Sequence, residues 1–295
     1  MDMADLRVFE MVARTGAMNR AASRLNTVQS NVTARIRALE QELDTRLFDR
    51  HSRGVHLTPA GQRLLPYARE LARVFGEARH AVDDDGAPKG PLLLGALETT
   101  TAIRLSPLLA AYAANYPRVD LTLRTGTTEE LVAAVLDHDL EGAFVCGPVD
   151  HPDLEQQAMF REELAVATPP AVRSFESFSQ FRDLRIVVLR VGCSYRQRLE
   201  EVLARRGIVG LRRLEFGTID GIIGCVGAGL GVTLMPTGIL AAAQEEGRIG
   251  VHRLAPADAI VETVFIRRRG AFRSSAQTAF VDHVLASGRA AAIAA

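Results

Sequence analysis

The chain has 295 residues, 47% of them hydrophobic, with 35 Lys and Arg balancing 35 Asp and Glu to a formal net charge of zero. At a prior of one domain per roughly 150 residues, that length implies two domains or more with real hydrophobic cores, and it excludes a disordered or bulk-basic chain. Any affinity for nucleic acid must therefore come from a local patch, and the three cysteines, Cys146, Cys193 and Cys225, are too few for a disulfide framework and lie at no metal-finger spacing. They read as reduced, small apolar fillers. Lys89 is the only lysine, so Arg carries almost all the fixed positive charge.

Met1 to Arg14 reads as an amphipathic helix carrying Asp2, Asp5 and Glu10, the wrong pattern for a secretory signal, and no segment approaches the roughly 20 apolar residues of a membrane span. A cytoplasmic protein with no membrane partner is the expectation. Thr15 to Arg37 then reads as two short helices across a tight turn. Asn19 is placed as the cap of the first, with Ala21, Ala22 and Leu25 on one face. After Asn26, Thr27 and Val28 a second helix follows, and Val32, Ile36, Leu39 and Leu43 step by four, three and four, the spacing of one buried stripe. The stripe turns Gln29, Ser30, Asn31, Thr33 and Arg35 outward, side-chain types able to read base edges. No acidic residue occurs between Glu10 and Glu40, while Arg14, Arg20, Arg24, Arg35 and Arg37 supply positive charge suited to a polyanion. A solvated surface helix pair is the plain alternative.

Leu47 to Arg50 and Val55 to Leu57 read as two short strands around a basic tip, His51 to Gly54, with Arg50 and Arg53 placed to meet a phosphate or a minor groove. With this wing the segment resembles the winged helix-turn-helix of the LysR-type transcriptional regulators. The resemblance rests on Leu6 and Phe9, on Arg20, Ala21, Ala22 and Leu25, on Gln29, Ile36, Leu39, Glu40 and Leu43, and on Leu47, Phe48, Arg50, Gly54, Leu57, Thr58 and Gly61. Two positions depart from the family pattern. Val28 stands where Ser is usual, and Ala34 where an Arg is usual, with Arg35 beside it as a replacement.

Thr58 and Pro59 supply an N-cap and a first-turn proline for a helix running to about Val82. Its seam of Leu64, Ala68, Leu71, Phe75, Ala78 and Val82 fits pairing between two chains, or packing on its own domain. The resemblance implies the former, an antiparallel dimer through this linker helix, which would read two half-sites spaced by helical turns of about 34 Å. Asp83 to Pro91 is a run of breakers and like charges that marks a hinge. The domains expected are a DNA-binding domain over 1–58, a linker helix and hinge over 59–90, and an effector domain over 91–295.

Beyond the hinge, strand-like runs alternate with helices: strands at Leu92 to Leu97, Val119 to Thr125, Leu140 to Val145 and Gln156 to Phe160, then at Leu164 to Ala167, Ile186 to Leu189, Arg212 to Phe216 and Val232 to Met235. This is an α/β pattern of mainly parallel sheets in two lobes, 91–162 with 267–295 and 163–266, the last strand at Val261 to Ile266 and the helix from Ser274 returning to the first lobe. It resembles the family's effector domain, which is periplasmic-binding-protein-like and holds a small molecule between its lobes. Candidate cleft residues stand where strands end and helices begin: Thr99, Thr100, Thr101, Thr127, Thr128, Ser194 and Thr218. Helix N-termini there can hold a carboxylate without a cationic side chain, although each residue would equally cap a helix in a protein without ligand. Gly227 to Gly231 precedes a strand, so it reads as a helix-to-strand connection rather than a dinucleotide loop. Cys193 and Cys225 as a redox pair, and His138 and His151 as metal ligands, find little support.

Two function classes follow. One is a ligand-responsive DNA-binding transcription regulator with no catalytic residue, metal or bound cofactor, whose partners are double-stranded DNA, a small effector such as a carboxylate, further copies of the chain as a dimer or dimer of dimers, and RNA polymerase as a further candidate. The resemblance implies that the effector alters lobe closure and DNA bending. The alternative is a bilobal binding protein or enzyme whose N-terminal unit serves only in assembly.

Overall fold

The computed structural model describes residues 1–51, 54–174 and 184–293, the side chains of 50, 73, 80 and 288–293 apart. The chain divides into two compact units, Met1–Asp85 and Gly86–Ala295.

In the first unit, α1 (Met3–Thr15) opens on a reciprocal cap in which Asp5 N donates to Asp2 Oδ1 (2.8 Å) and Asp2 N to Asp5 Oδ2 (3.1 Å), and it stops at Gly16 with φ 64°. α2 (Met18–Arg24) starts ahead of Asn19, with Ala17 as its N-cap and no side-chain bond there. Asn19 is thus inside the helix rather than its cap, because burial of Met18 with Ala21 and Ala22 draws the helix start forward. α3 (Gln29–Glu42) buries Val32, Ile36 and Leu39 completely against Leu6, Phe9 and Val12 of α1 and Met18, Ala21 and Ala22 of α2. Leu43 leaves the expected stripe. It is the C-cap, 37% exposed, because the chain turns sharply at Asp44 with φ 45°.

The wing follows as an antiparallel pair, β1 (Phe48–His51) and β2 (Gly54–Leu57). Glu40 Oε1 accepts from the amides of Leu47 (2.9 Å) and Phe48 (3.2 Å), fixing where β1 leaves α3, and Val55 N donates to Gly16 O (3.0 Å), tying β2 to the α1–α2 turn. α4 (Pro59–Asp83) is capped by Thr58, whose hydroxyl accepts from Gly61 N (3.1 Å) and donates to Arg46 O (2.7 Å). A Cβ on Gly61 would lie 2.2 Å from the Leu47 carbonyl oxygen, so only glycine lets the helix approach the wing this closely. The seam of α4 splits in two. Leu64 and Ala68 pack on the unit's own core, whereas Leu71 and Phe75 stand 45% and 46% exposed, with Val74 and Val82 beside them also uncovered.

The second unit contains β3 (Gly90–Ala96), a helical run of α5 (Glu98–Thr100), a π turn (Thr101–Leu105) and α6 (Ser106–Asn115), then β4 (Val119–Thr125), α7 (Thr128–Leu136), β5 (Gly142–Cys146) and β6 (Leu154–Thr168). It continues with β7 (Arg185–Leu189), α8 (Ser194–Ala204), β8 (Arg212–Phe216), α9 (Ile219–Gly227), β9 (Thr233–Pro236), α10 (Thr237–Glu245), β10 (Gly250–Arg253), α11 (Pro256–Ala259), β11 (Ile260–Arg268) and α12 (Ser275–Ile293). The first lobe's sheet runs β4–β3–β5–β11–β6, its β3 pairings parallel and the rest antiparallel. In the second lobe the far end of β6 lies between β9 and β10, both antiparallel to it, and Val232 bridges to β7, which pairs with β8 in parallel.

The sheets are therefore mixed rather than mainly parallel. The two expected strands at Gln156 to Phe160 and Leu164 to Ala167 are one 15-residue strand, β6, that serves both lobes. β11 returns alongside it antiparallel, with a register shift between Thr263 and Val264, and joins β5 from Thr263 onward, upstream of the expected return at 267. A strand that leaves the first lobe and a later strand that brings the chain back to it run in opposite directions, so side by side they pair antiparallel. α10, β10 and α11 were not foreseen in the sequence.

Val28 caps α3 in extended geometry (φ −96°, ψ 150°) with no side-chain hydrogen bond, so the first turn lacks the acceptor a Ser would give. Val28→Ser is expected to stabilise the first unit by about 1 kcal/mol in urea unfolding followed by circular dichroism; an unchanged midpoint would show that the turn gains nothing from a side-chain cap.

Candidate DNA-binding and effector sites

With Val32, Ile36 and Leu39 turned inward, Ser30, Ala34 and Arg37 step along the opposite face of α3, and all three are exposed, as are Gln29 and Asn31. Thr33 is half-buried at the flank, and Asn31 Nδ2 donates to Thr27 Oγ1 (3.0 Å), which steadies the start of the helix. Arg35 behaves differently from expectation. Its guanidinium donates to Asp5 Oδ1 at 2.8 Å and stands 3.8 Å from Asp2 Oδ1, clamping α3 to the first turn of α1. It sits on the flank of the buried stripe, so it does not take the place of the Arg missing at Ala34. Arg37 is the outward guanidinium. The first carboxylate along α3, Glu40, is turned to the wing amides, which leaves the outer face of the helix start without negative charge.

Arg20 is exposed on α2 near the Gly16 turn, with Arg14 and Arg24 also exposed. Arg50 lies on β1, paired with Val55 across the wing, and Arg53 falls outside the described residues.

In the second unit a cavity of about 210 Å³ opens between the lobes. Thr99, Thr127, Thr128 and Ser194 line it, as expected from strand ends. Thr100, Thr101 and Thr218 do not. Thr100 is buried away from it, the Thr101 hydroxyl donates to Leu97 O (2.9 Å), and the Thr218 hydroxyl caps α9 by accepting from Gly221 N (3.3 Å). Backbone needs have claimed the last two. The α7 N-terminus is likewise occupied, since Thr127 and Glu130 form a reciprocal capping box. α8 has Cys193 as its N-cap with no side-chain cap hydrogen bond, its Arg196 amide donating to Cys193 O (3.1 Å), and Ser194 at its first position lines the cavity.

The lobes touch across this cavity. Ser194 Oγ donates to Thr128 Oγ1 (3.1 Å), and Ile219 N at the start of α9 donates to Glu98 Oε1 (3.3 Å). Gly192 takes φ 88°, and a Cβ there would press 2.8 Å from both Glu129 Cβ and Thr127 Oγ1. The half-buried Cys146 and the buried Cys193 and Tyr195 also line the cavity. Burial pushes both thiols and the Tyr195 phenol above their ordinary values, so all three stay protonated at neutral pH. Charge at the cavity thus comes from Glu98 and Arg190, one of each sign.

Sequence reasoning missed Glu98, Arg190, Cys146, Cys193 and Tyr195 as lining residues. The strand-end rule could have found Glu98, Cys146 and Arg190, because β3, β5 and β7 end there, but attention to hydroxyls passed them over. Cys193 belongs with Cys146 at this cavity, while Cys225 packs in a different cluster around α9. Among the described residues no group of His, Cys, Asp and Glu is arranged to hold a metal, and no helix is long and apolar enough to cross a membrane.

Residues 3–62 match the model described as bacterial regulatory helix-turn-helix protein, lysR family, and residues 85–289 match the LysR substrate binding domain. The chain is 43% identical over 284 residues to the HTH-type transcriptional regulator GltR of Bacillus subtilis (strain 168), covering 96% of each chain. Among solved structures it is similar in fold to a full-length OxyR variant from Pseudomonas aeruginosa, with TM-score 0.70 and 20% identity over 98% of this chain and 95% of that one. It is also similar to full-length CbnR complexed with its target DNA, with TM-score 0.63 and 24% identity over 97% of this chain and 100% of that one.

Proposed function

The chain belongs to the LysR family of HTH-type transcriptional regulators, and we propose that it reads DNA with the outer face of α3 and adjusts that reading through a small carboxylate held between the lobes of its second unit. The family is one of regulators rather than enzymes, which sets aside a catalytic role. The observation that carries the DNA assignment is the outward row of Ser30, Ala34 and Arg37, bordered by Gln29, Asn31 and Thr33 and free of carboxylates over its first turns. Arg37 reads a guanine edge, the hydroxyl and amide side chains read their neighbours, and Arg20 with the wing arginines Arg50 and Arg53 meets the phosphates. Arg35 is a positioning residue.

Two recognition helices bind more tightly than one, and the uncovered Leu71, Val74, Phe75 and Val82 of α4 supply an apolar stripe for a second copy. We infer a homodimer through α4, able to pair again into a dimer of dimers, working beside RNA polymerase in the cytoplasm. For the effector, Ser194 at the start of α8, a helix end with no side-chain cap, receives the carboxylate, while Glu98 accepts from a second, donor group of the same molecule. Entry of that molecule competes with the Thr128–Ser194 and Glu98–Ile219 contacts and so shifts the balance between lobe arrangements.

Three measurements test these assignments. Against an operator selected from random duplexes, fluorescence anisotropy should show affinity falling steeply with salt, and Arg37→Ala should cost about 1–3 kcal/mol of base discrimination, whereas Arg35→Ala should keep the wild-type sequence preference. The reverse pattern would move the reading face. Leu71→Asp with Phe75→Asp should convert the dimer to monomer in sedimentation equilibrium; an unchanged mass would place the interface elsewhere. In thermal unfolding, a bound carboxylate with a second donor, such as lactate or alanine, should add about 2.7 kcal/mol at roughly 100 times its dissociation constant, with the gain reduced in Ser194→Ala. No gain across a panel of such acids would remove the cleft assignment.

A further inference from the structure

A second cavity, of about 250 Å³, lies within the second unit where β6 and β11 face α12, lined by Glu155, Gln156, Arg267, Arg273, Gln277 and Phe265 among others. Its polar groups are unusually placed. Arg267 has a side chain only 15% exposed, ion-paired to Glu155 through NH2 and donating from NH1 to Ala271 O (3.3 Å), yet its Nε is buried with no hydrogen-bond partner among the described residues. Gln277, 2% exposed, donates from Nε2 to Glu141 O (2.9 Å), while its Oε1 is also buried and unpartnered. A buried guanidinium N–H left unpaired is costly and calls for an explanation.

Electrostatics point the same way. Burial, and after it the charge of the nearby Arg273, lowers the affinity of the Arg267 guanidinium for its proton. Two guanidiniums therefore face one cavity with one carboxylate, Glu155, between them in number, and a single positive charge is left over. Arg273 is exposed and partly screened by water, and an anion between the two guanidiniums would offset the remaining charge. Phe265 and Val281 give the same cavity an apolar wall, and Gln277 Oε1 gives it an acceptor, the Gln156 amide being held at both ends by Val149 (3.0 and 3.2 Å).

We propose that this cavity is a second ligand site, separate from the cleft between the lobes, and that it binds a small monocarboxylate whose oxygens bridge Arg267 and Arg273. One carboxylate neutralises the leftover charge, and a short apolar remainder lies against Phe265 and Val281. Gln277 Oε1 accepts from any hydroxyl or amide that remainder carries. The site stands on the first lobe's own strands and helix, so it does not depend on the cleft assignment. Because β6 also reaches the second lobe, a ligand held at Arg267, on the strand paired with its first-lobe end, loads one end of that strand pair.

Titration calorimetry of the full-length chain tests this with propionate as the probe and propionamide as its uncharged isostere at matched ionic strength. Propionate should bind, propionamide should bind about tenfold more weakly or not at all, and Arg273→Gln should weaken propionate by about tenfold or more. Arg273 is exposed, so that variant keeps the buried Arg267–Glu155 pair and the fold. Ser194→Ala, in the cleft, should leave this binding unchanged, while Thr278→Leu should obstruct it from the cavity wall. Equal binding of propionamide, full affinity in Arg273→Gln, loss of binding in Ser194→Ala, or no binding of propionate would each overturn the proposal.

Discussion

Complete burial of Val32, Ile36 and Leu39 is the constraint on which the N-terminal unit turns. Each such side chain removed from water contributes about 1.5–3 kcal/mol, whereas the partly exposed Arg35–Asp5 pair, a surface-type contact, is worth roughly 1 kcal/mol or less. Packing therefore decides the rotation of α3, and the ion pair only refines it. Once the rotation is set, geometry leaves Ser30, Ala34 and Arg37 facing outward, and Glu40 inward at the mouth of the wing. The outer face is thus a consequence of the core, and its freedom from acid is what makes it suitable beside a polyanion.

The second unit rests on a comparable constraint. β6 pairs with β11 along Leu154–Glu163 and with β9 and β10 along Leu164–Thr168, so one strand serves both lobes, and β11 shows a register shift between Thr263 and Val264 where it begins to pair with β5. Around that crossing one buried apolar cluster joins the lobes, with Leu131, Val145 and Leu154 of the first and Ile186, Tyr195 and Leu199 of the second, and at the cavity they also meet through the Thr128–Ser194 and Glu98–Ile219 hydrogen bonds. Contacts of this kind are individually worth about 0.5–1.5 kcal/mol. A ligand that competes for Ser194 or Glu98 therefore has contacts of only this size to displace at the cavity itself.

Local pattern made much of this legible in the sequence. The stripe of α3, the caps and bounds of α4, the wing strands and the strand-end hydroxyls Thr99, Thr127, Thr128 and Ser194 all follow from spacing and helix-end chemistry within a few residues. What escaped depends on partners distant in sequence. Arg35 falls on the flank of the stripe in a helical projection, a position open to either face, and the carboxylate of Asp5, far upstream in the chain, decides it. Strand direction has no local signature either: the alternation of strands and helices that suggests parallel sheets is broken by β6 and β11, whose pairing is set by topology. Leu43 fits the helical period but falls past the turn at Asp44, and Thr218 and Thr101 have hydroxyls that backbone groups had already taken.

Photo-crosslinking from an unnatural benzophenone side chain placed singly at positions 30, 37 and 5 of the full-length protein, bound to its operator duplex, addresses the central claim most directly. Positions 30 and 37 should each join to bases within the operator, and position 5, on the side of α3 that Arg35 clamps, should not. Crosslinks to bases from position 5 with none from 30 or 37 would mean that the helix presents its other side to DNA.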